Sequence, residues 1–202
     1  MNRKDALAAF TTERRKQKIR TVLENRQKDL TLVMNNIHDP HNVSAMLRSC
    51  DAFGIQNVHL LYTNESFPFL GKKSSASSKK WVDVFRHTNA SKMAAELKSC
   101  GMRVLYAGLG QKSLSLTQVD FCLPTAVVLG NEHRGVDDEL KRVSDGELHI
   151  PMQGMVQSFN VSVAAAIILY EAWRQRSASG LYESHSFSRT ELENYYERWI
   201  RK

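Results

Sequence analysis

The sequence predicts one α/β domain on a mainly parallel sheet with flanking helices, and three observations carry this prediction. Short apolar runs of strand length alternate with helical patterns from residue 31 onward. Gly54 and Gly101 follow two of the helical patterns, where a helix often ends in a left-handed residue. A chain of 202 residues, 42% hydrophobic, can bury one sizeable core and is too short to make two domains the default. In such a sheet we expect binding sites at the carboxyl ends of the strands.

The elements follow from the period of the apolar residues along the chain. Strands are predicted over residues 31–37, 58–62, 81–85, 103–107, 126–129 and 147–150. Helices are predicted over residues 43–53, 91–99, 136–143, 159–176 and 189–201, after a basic amphipathic helix within the first thirty residues. The chain therefore divides into a basic helical extension over 1–30, a central domain over 31–180 and a C-terminal helix within 181–202.

The first thirty residues are strongly basic. Nine Lys and Arg side chains stand against four acidic ones, while Ile19, Val22 and Leu23 fall at helical spacing between them. The basic residues are Arg3, Lys4, Arg14, Arg15, Lys16, Lys18, Arg20, Arg26 and Lys28. The pattern fits an arm that contacts RNA and fits a solvated helix face equally well.

The charge of the whole chain favours an anionic partner. Lys and Arg number 28 against 21 acidic residues, for a net charge of +7, which makes nucleic acid a plausible partner. A second basic cluster, set among serines, comprises Lys72, Lys73, Lys79 and Lys80. Clustered lysines suit phosphate contact, although a solvated loop has the same composition.

We expect no disulfide framework, no metal site and no membrane span. The cysteines Cys50, Cys100 and Cys122 are far apart and show no CxxC spacing, which fits a reduced, cytoplasmic protein. His38 and His41 do not form a recognisable metal-ligand spacing. No stretch approaches the roughly 18 apolar residues of a membrane helix, and no secretory signal is visible.

The predicted helix over 159–176 is apolar around nearly its whole circumference. From Val161 to Tyr170 only Ser162 interrupts the apolar run, so no polar stripe remains for water and we expect the helix to be buried. Small residues over 164–166 permit close packing against another helix, within the subunit or outside it. Ser158 and Asn160 are candidate caps, so the preceding loop should direct free backbone groups at a ligand.

Two glycine-bearing loops follow predicted strands. The loop GLGQKS, with Gly108 and Gly110, resembles a dinucleotide fingerprint only weakly, because Ser113 replaces the third glycine and no acid closes the next strand. A nucleotide-dependent oxidoreductase would rest on this loop alone. The loop LGNEHRG places Gly130 and Gly135 where the backbone could approach a ligand, with Glu132 inside the turn, although any glycine-rich turn shows this pattern.

Three strand-end segments, NVSAMLRS, LGNEHRG and IPMQGMVQSFNVSVAAAI, resemble in this order the three motifs of the SpoU/TrmH family of SPOUT RNA methyltransferases. The resemblance covers about residues 31–180 and is greatest to the branch that methylates the ribose 2′-oxygen of a D-loop guanosine in tRNA. It implies a C-terminal deep trefoil knot, S-adenosylmethionine as cofactor and a homodimer whose active site draws on both subunits. Ribosomal RNA is the alternative substrate, and a non-catalytic RNA-binding module is the alternative function.

The resemblance also implies the site residues. Asn42 and Arg48 match the functional pair of the first motif, Glu132 belongs to the second, and Ser158 and Asn160 belong to the third. Cofactor contacts are expected at Ala107, Leu129, Gly130, Ile150, Met152 and Phe159. Arg48 would either accept the proton of the ribose hydroxyl or clamp a phosphate and stabilise the developing alkoxide. Asn42 and Glu132 would orient Arg48, while Ser158 and Asn160 would shape the pocket.

Overall fold

The structure, a computed structural model, describes residues 11–68 and 78–202, and within these ranges all strands join one seven-stranded sheet. The strands are β1 Leu30–Asn35, β2 Asn57–Leu61, β3 Asp83–His87, β4 Arg103–Ala107, β5 Leu114–Ser115, β6 Thr125–Leu129 and β7 Gly146–His149. Their order is β3-β2-β1-β6-β4-β7-β5, and every pairing between neighbours is parallel. The predicted α/β fold on a parallel sheet is confirmed.

Helices connect the strands, as crossovers between parallel strands require. They are α1 Glu13–Glu24, α2 Pro40–Ala52, α3 Ser78–Trp81, α4 Ala90–Ser99, α5 Asp138–Val143, α6 Val161–Ala178 and α7 Arg189–Ile200. The short elements α3 and β5 were not predicted, because two to four residues carry too little periodicity. The predicted strand over 81–85 begins later, at Asp83, because Trp81 ends α3.

The sheet lies between two layers of helices, and β1 at its centre shows why. Leu32 and Met34 point into the core beneath α2 and α6, whereas Val33 points into the core beneath α4 and α5. All six residues of β1 are buried, as expected for a central parallel strand covered on both faces. The loops that leave the carboxyl ends of the parallel strands lie at one edge of the sheet, where they can build a site.

The two terminal helices α1 and α7 pack against each other at one edge of the domain. Ile19, Leu23 and Trp199 form a small apolar cluster, and the ring of Trp81 meets Trp199 edge-on at a centroid distance of 5.0 Å. Burying side chains of this size stabilises the fold by roughly 1.5–3 kcal/mol each. Helix α1 is therefore anchored to the C-terminal helix along its apolar stripe.

Helix α6 is buried on one side only. Ala165, Ile168 and other residues on that side pack against α2 and the sheet, while Val163, Tyr170 and Trp173 remain 44%, 53% and 37% exposed. The prediction of burial around the whole helix is therefore wrong for the single chain, because α2 and the sheet cover only one face. Among the described residues, no helix is both long and apolar enough to cross a membrane.

Candidate functional site

A cavity of about 460 Å³ opens at the carboxyl ends of β6, β4 and β7, which are neighbours in the sheet. Residues from the loops that follow these three strands line the cavity, together with the first turn of α6. Ligand sites in open parallel sheets are expected at this edge, and pockets of roughly 300–1,000 Å³ suit a small molecule. The cavity is therefore the candidate site for a cofactor.

The structure brings together all six residues expected to contact the cofactor. Ala107, Leu129, Gly130, Ile150, Met152 and Phe159 all line the cavity. Ala107 and Leu129 are the last residues of β4 and β6, and Ile150 is the first residue after β7. Met152 and Phe159 belong to the loop before α6, which supplies an apolar wall.

Gly130 is required by the path of its own loop. A Cβ atom at this position would overlap with the backbone of Gly135 and Val136. Asn131 and Gly135 donate backbone hydrogen bonds to each other at 3.0 and 2.8 Å, and Gly135 has a φ of +71°. The loop after β6 therefore folds back on itself, and the close approach that the sequence suggested is between two backbone segments.

Side chains from the three motif segments meet beside this cavity. The Asn42 Nδ2 atom donates to the Glu132 carboxylate at 2.7 Å, and the Asn160 Nδ2 atom donates to Asn42 Oδ1 at 3.1 Å. The Oδ1 atom of Asn160 accepts from the backbone N–H of Ser162 at 2.9 Å, which caps α6. Asp39 caps α2, so the amide of Asn42 remains available for this network.

The environment of Glu132 keeps it ionised. Partial burial acts to raise the pKa of its carboxyl group, but hydrogen bonds from Asn42 and from the backbone N–H of His38 outweigh this effect and lower the pKa. As an ionised group Glu132 is an acceptor only, so it directs the Nδ2 atom of Asn42 toward itself. The Oδ1 atom of Asn42 then faces Asn160, which fixes the orientation of both amides.

Arg48 stands apart from this network in the single chain. It lies six residues after Asn42 on α2, which places it roughly 240° around the helix at 100° per residue, and its side chain is exposed. It does not line the cavity, and within the described residues no hydrogen bond joins it to Asn42 or Glu132. Ser158, in contrast, lines the cavity, where Asn160 rather than Ser158 serves as the helix cap.

The cavity also contains residues that the sequence did not single out as ligands. They are Leu109, Asn131, Leu148, His149, Gln157, Val161 and Ala164, while Gly108 and Gly135 of the two glycine-bearing loops also line the cavity. Most neighbour predicted residues on the same three loops, so the strand-end positions were the available signal.

The glycines of the loop GLGQKS have a local explanation. A Cβ atom on Gly108 or Gly110 would overlap with the carboxylate of Glu147. That carboxylate accepts from the backbone N–H of Gly110 at 2.8 Å and from the hydroxyl of Tyr106 at 3.1 Å. Both glycines therefore make room for a carboxylate of the protein itself, which removes the reason for a pyrophosphate interpretation.

The predicted basic regions are only partly described. Arg14, Arg15, Lys18 and Arg20 are exposed on α1, and the Arg20 guanidinium lies 4.8 Å from the ring centroid of Tyr196. Arg3, Lys4 and the side chains of Lys72, Lys73 and Lys79 lie outside the described residues. Among the residues that the structure does cover, no three or more His, Cys, Asp or Glu side chains form a group suited to a metal ion.

Comparison with known proteins gives one family. The model of the SpoU rRNA Methylase family matches residues 29–170. A tRNA (guanosine(18)-2′-O)-methyltransferase of Thermus thermophilus is 41% identical over 191 residues, which cover 95% of this chain and 98% of the relative.

Solved structures agree with this match. The A. aeolicus TrmH/SpoU tRNA modifying enzyme superposes with a TM-score of 0.87 at 37% identity, covering 93% of this chain and 95% of the other. The SpoU methyltransferase AviRb of Streptomyces viridochromogenes, solved with the cofactor AdoMet, gives a TM-score of 0.68 at 24% identity. It covers 75% of this chain and 60% of AviRb, a likeness that concerns the fold.

Proposed function

This chain belongs to the SpoU rRNA Methylase family, and we propose that it transfers a methyl group from S-adenosylmethionine to the ribose 2′-hydroxyl of a tRNA guanosine, at position 18 in the D loop. The observation that carries this proposal is the hydrogen-bonded meeting of Asn42, Glu132 and Asn160 beside the cavity. Each residue comes from a different motif segment, so the fold brings together three residues that are far apart in the sequence. The relative that shares 41% identity over 95% of this chain supports tRNA as the substrate.

The cavity fits the proposed cofactor. Its walls combine apolar side chains, among them Leu129, Ile150 and Phe159, with backbone groups of three irregular loops. Apolar walls suit an adenine ring, and free backbone groups suit the polar parts of an amino acid and a ribose. When bound, S-adenosylmethionine supplies an activated methyl group on a sulfonium. The loops of this chain hold such a molecule in place and keep bulk water from it.

Arg48 is proposed to act on the RNA. A guanidinium hardly gives up its proton, so we assign Arg48 the role of clamping a substrate phosphate and stabilising the alkoxide that develops on the ribose. Its exposed side chain forms no ion pair within the described residues, which leaves its donors free for RNA. The carboxylate of Glu132 already accepts from Asn42 and from backbone N–H groups, which suits an orienting role.

A second copy of the chain is proposed to cover the exposed apolar face of α6. Val163, Tyr170 and Trp173 form this face, and contiguous apolar surface of this kind marks interaction sites. Because Arg48 does not line the cavity of its own chain, we propose that the partner's copy of this arginine completes the site. The dimer would then be the active form.

The dimer is testable by sedimentation at micromolar concentration. Val163→Glu introduces a charge into the apolar face and should yield monomers that no longer transfer methyl groups. Ala95→Glu serves as the matched control, because Ala95 is exposed on α4 on the opposite side of the sheet. A wild-type protein that is monomeric and fully active would contradict the proposed dimer.

We also propose the knot that the family resemblance implies. The loops after β4, β6 and β7 enclose one cavity, and α6 leaves this region to pack against α2 near the start of the chain. A trefoil knot over this part would be an exception to the rule that chains do not thread their own loops. It would hold the irregular cavity loops against one another.

The proposed place of the reaction is the cytoplasm, where tRNA is modified. Cys50 is a buried free thiol, and burial raises its pKa far above the usual range, so it carries no reactive thiolate. Cys100 and Cys122 are also free. Unpaired cysteines suit a reducing compartment.

We propose that helices α1 and α7, which flank the catalytic domain in the sequence, take part in binding the tRNA. Arg14, Lys18 and other exposed basic residues of α1 would contact phosphates, and base or sugar contacts would come from the cavity region. Most of the binding free energy would then be electrostatic and independent of sequence.

The decisive experiment is methylation of defined RNAs with labelled S-adenosylmethionine. A tRNA transcript with G18 should be labelled on the ribose of that nucleotide, and the same transcript with adenosine at position 18 should not. Total ribosomal RNA is assayed in parallel. Labelling of ribosomal RNA alone would replace tRNA as the substrate, and binding of tRNA without any transfer would leave a non-catalytic RNA-binding module.

A further inference from the structure

Two buried amides stand at the carboxyl end of β1 and share one acceptor. Asn35 and Asn36 have no exposed surface, and their Nδ2 atoms donate to the Oδ2 atom of Asp137 at 3.0 and 2.7 Å. The Oγ1 atom of Thr63, which follows β2, donates to the same oxygen at 2.6 Å. The backbone N–H of Asp137 in turn donates to Asn35 Oδ1 at 2.8 Å. One carboxylate therefore joins the ends of β1 and β2 to the segment that precedes α5.

Asn36 carries this connection into the backbone. Its φ of +50° lies in the left-handed region, which asparagine tolerates better than most residues. Its Oδ1 atom accepts from the backbone N–H of Thr63 at 3.0 Å, and its carbonyl oxygen accepts from Asn131 Nδ2 at 2.7 Å. The turn after β1 is therefore held by its own side chain and by the loop after β6.

One partner of Asn36 and one neighbour in the chain adjoin the catalytic network. Asn131 precedes Glu132 in the chain, and its Oδ1 atom accepts from the backbone N–H of His133 at 2.9 Å, just beyond Glu132. His38, two residues after Asn36, donates its backbone N–H to the Glu132 carboxylate at 2.9 Å. The backbone that bears Glu132 and the backbone that donates to it are thus both set by Asn36.

We propose, resting on the methyl transfer assigned above, that Asp137 is a positioning residue that sets Glu132 and, through it, the amides of Asn42 and Asn160. Asp137 does not line the cavity and touches none of these three side chains. Without its carboxylate, two buried amides lose their common acceptor, and the turn after β1 is free to rearrange. The backbone at His38 can then move away from Glu132, which weakens the hydrogen bond between them and lowers the rate of methyl transfer.

The test is a double-mutant cycle between Asp137 and Glu132. Single-turnover methyl transfer to tRNA is measured for the wild type, Asp137→Ala, Glu132→Ala and the double variant. We expect Asp137→Ala to slow transfer by about tenfold or more in the wild-type background and by less than about twofold when Glu132 is already absent. Losses that multiply in the double variant would show that Asp137 acts independently of Glu132 and would overturn the proposal.

Two further variants separate position from stability. Asp137→Asn keeps an oxygen that can accept from the buried amides and should restore transfer to within about threefold of the wild type. Asp145→Ala is the matched control, because this carboxylate accepts from the backbone N–H of Val104 at 2.8 Å at the opposite, amino end of the sheet. It should lower the thermal midpoint and leave the rate of transfer unchanged. If Asp145→Ala also slowed transfer, the effect of Asp137→Ala would be explained by general destabilisation, and the proposal would be wrong.

If Asp137→Ala does not fold, Thr63→Val takes its place in the cycle. Valine has the shape of threonine, and the change removes one of the three hydrogen bonds to Asp137 Oδ2 together with the hydrogen bond that Asn36 Nδ2 donates to Thr63 Oγ1 at 2.9 Å. We expect about two- to fivefold slower transfer, a smaller loss than for Asp137→Ala because both buried amides keep the carboxylate as acceptor, and this loss should again disappear in the Glu132→Ala background. A wild-type protein that methylates no tRNA would refute the proposed function instead, which keeps the two failures apart.

Discussion

Arginines on the two packed helices α6 and α2 are used in opposite ways. Arg176 of α6 has no exposed surface, and its guanidinium donates to Phe121 O at 2.8 Å, Gln27 Oε1 at 2.9 Å and the Asp29 carboxylate at 2.6 Å. Arg48 of α2 is exposed and has no ion-pair partner in the described part of the chain.

The difference separates stability from function. A buried guanidinium is tolerated only when its donors and its charge are satisfied, so Arg176 joins α6 to the segments around residues 29 and 121. A guanidinium that must bind a substrate needs donors that remain free until the substrate arrives. We therefore expect Arg176 to govern the free energy of unfolding and Arg48 to govern catalysis.

The largest expected effect is on stability, for Arg176→Ala. The change leaves a cavity and removes the donor to the buried oxygens Phe121 O and Gln27 Oε1, whereas the Asp29 side chain is 36% exposed and can be rehydrated. A buried acceptor left unsatisfied costs about 1–3 kcal/mol, so we expect a loss of about 2–5 kcal/mol in the free energy of unfolding. Chemical denaturation at fixed protein concentration measures this loss. Arg142→Ala, at an exposed position on α5, is the control and should change the free energy of unfolding by less than about 0.5 kcal/mol. Equal losses for the two variants would erase the distinction between buried and exposed arginines.

The next effect is on catalysis, for Arg48→Ala. Removing one donor from a developing negative charge typically slows a reaction by about 10²–10³-fold, and we expect a loss of this size in methyl transfer. The affinity for S-adenosylmethionine, measured by calorimetry, and the thermal midpoint should stay unchanged, because Arg48 is exposed and does not line the cavity. Arg48→Lys keeps the charge without the planar fork and should recover only part of the rate. If the affinity for S-adenosylmethionine fell together with the rate, Arg48 would contact the cofactor and the proposed role on the RNA would be wrong.

A smaller effect is expected at the cavity itself, for Gly130→Val. The new side chain overlaps with the backbone of Gly135 and Val136, so the loop that lines the cavity must shift. We expect the dissociation constant for S-adenosylmethionine to rise by about tenfold, which corresponds to about 1.4 kcal/mol. Gly154→Val is the matched control, because a Cβ at Gly154 meets nothing within 4 Å. Similar affinities for both variants would mean that the loop after β6 does not form the cofactor site.

The smallest effect is expected on the exposed basic face of α1. Deleting this helix would also expose Trp199, so neutralising Arg14 and Lys18 to alanine is the cleaner change. We expect a two- to fivefold weaker tRNA affinity and a salt dependence flatter by about one to two units in the log–log slope. Glu24→Ala, on the same helix, should leave that slope unchanged. An unaltered slope after neutralisation would mean that the basic face of α1 does not contact RNA and that the helix serves only in packing against α7.

The sequence by itself determined the class of the fold and the segments that build the site. Period-two and period-3.6 patterns depend on neighbouring residues, so the alternation of strands and helices was visible. The segments that bear Asn42, Glu132 and Asn160 were identified by their resemblance to the motifs of a known family. The short strand β5 and the helix α3 escaped because they hold too few residues for a pattern.

Only the tertiary structure decided which segments meet. β6, β4 and β7 adjoin in the order 6-4-7, which no local pattern encodes, and this order places three loops around one cavity. The hydrogen bond between Asn35 and Asp137 joins residues 102 positions apart, and the one between Asn160 and Asn42 joins residues 118 apart. The sequence also could not show that one face of α6 is exposed or that the Glu147 carboxylate lies against Gly108. Burial and steric contact depend on which residues pack nearby in space. Periodicity reports the conformation of a segment, whereas its neighbours are chosen by the packing of the whole chain.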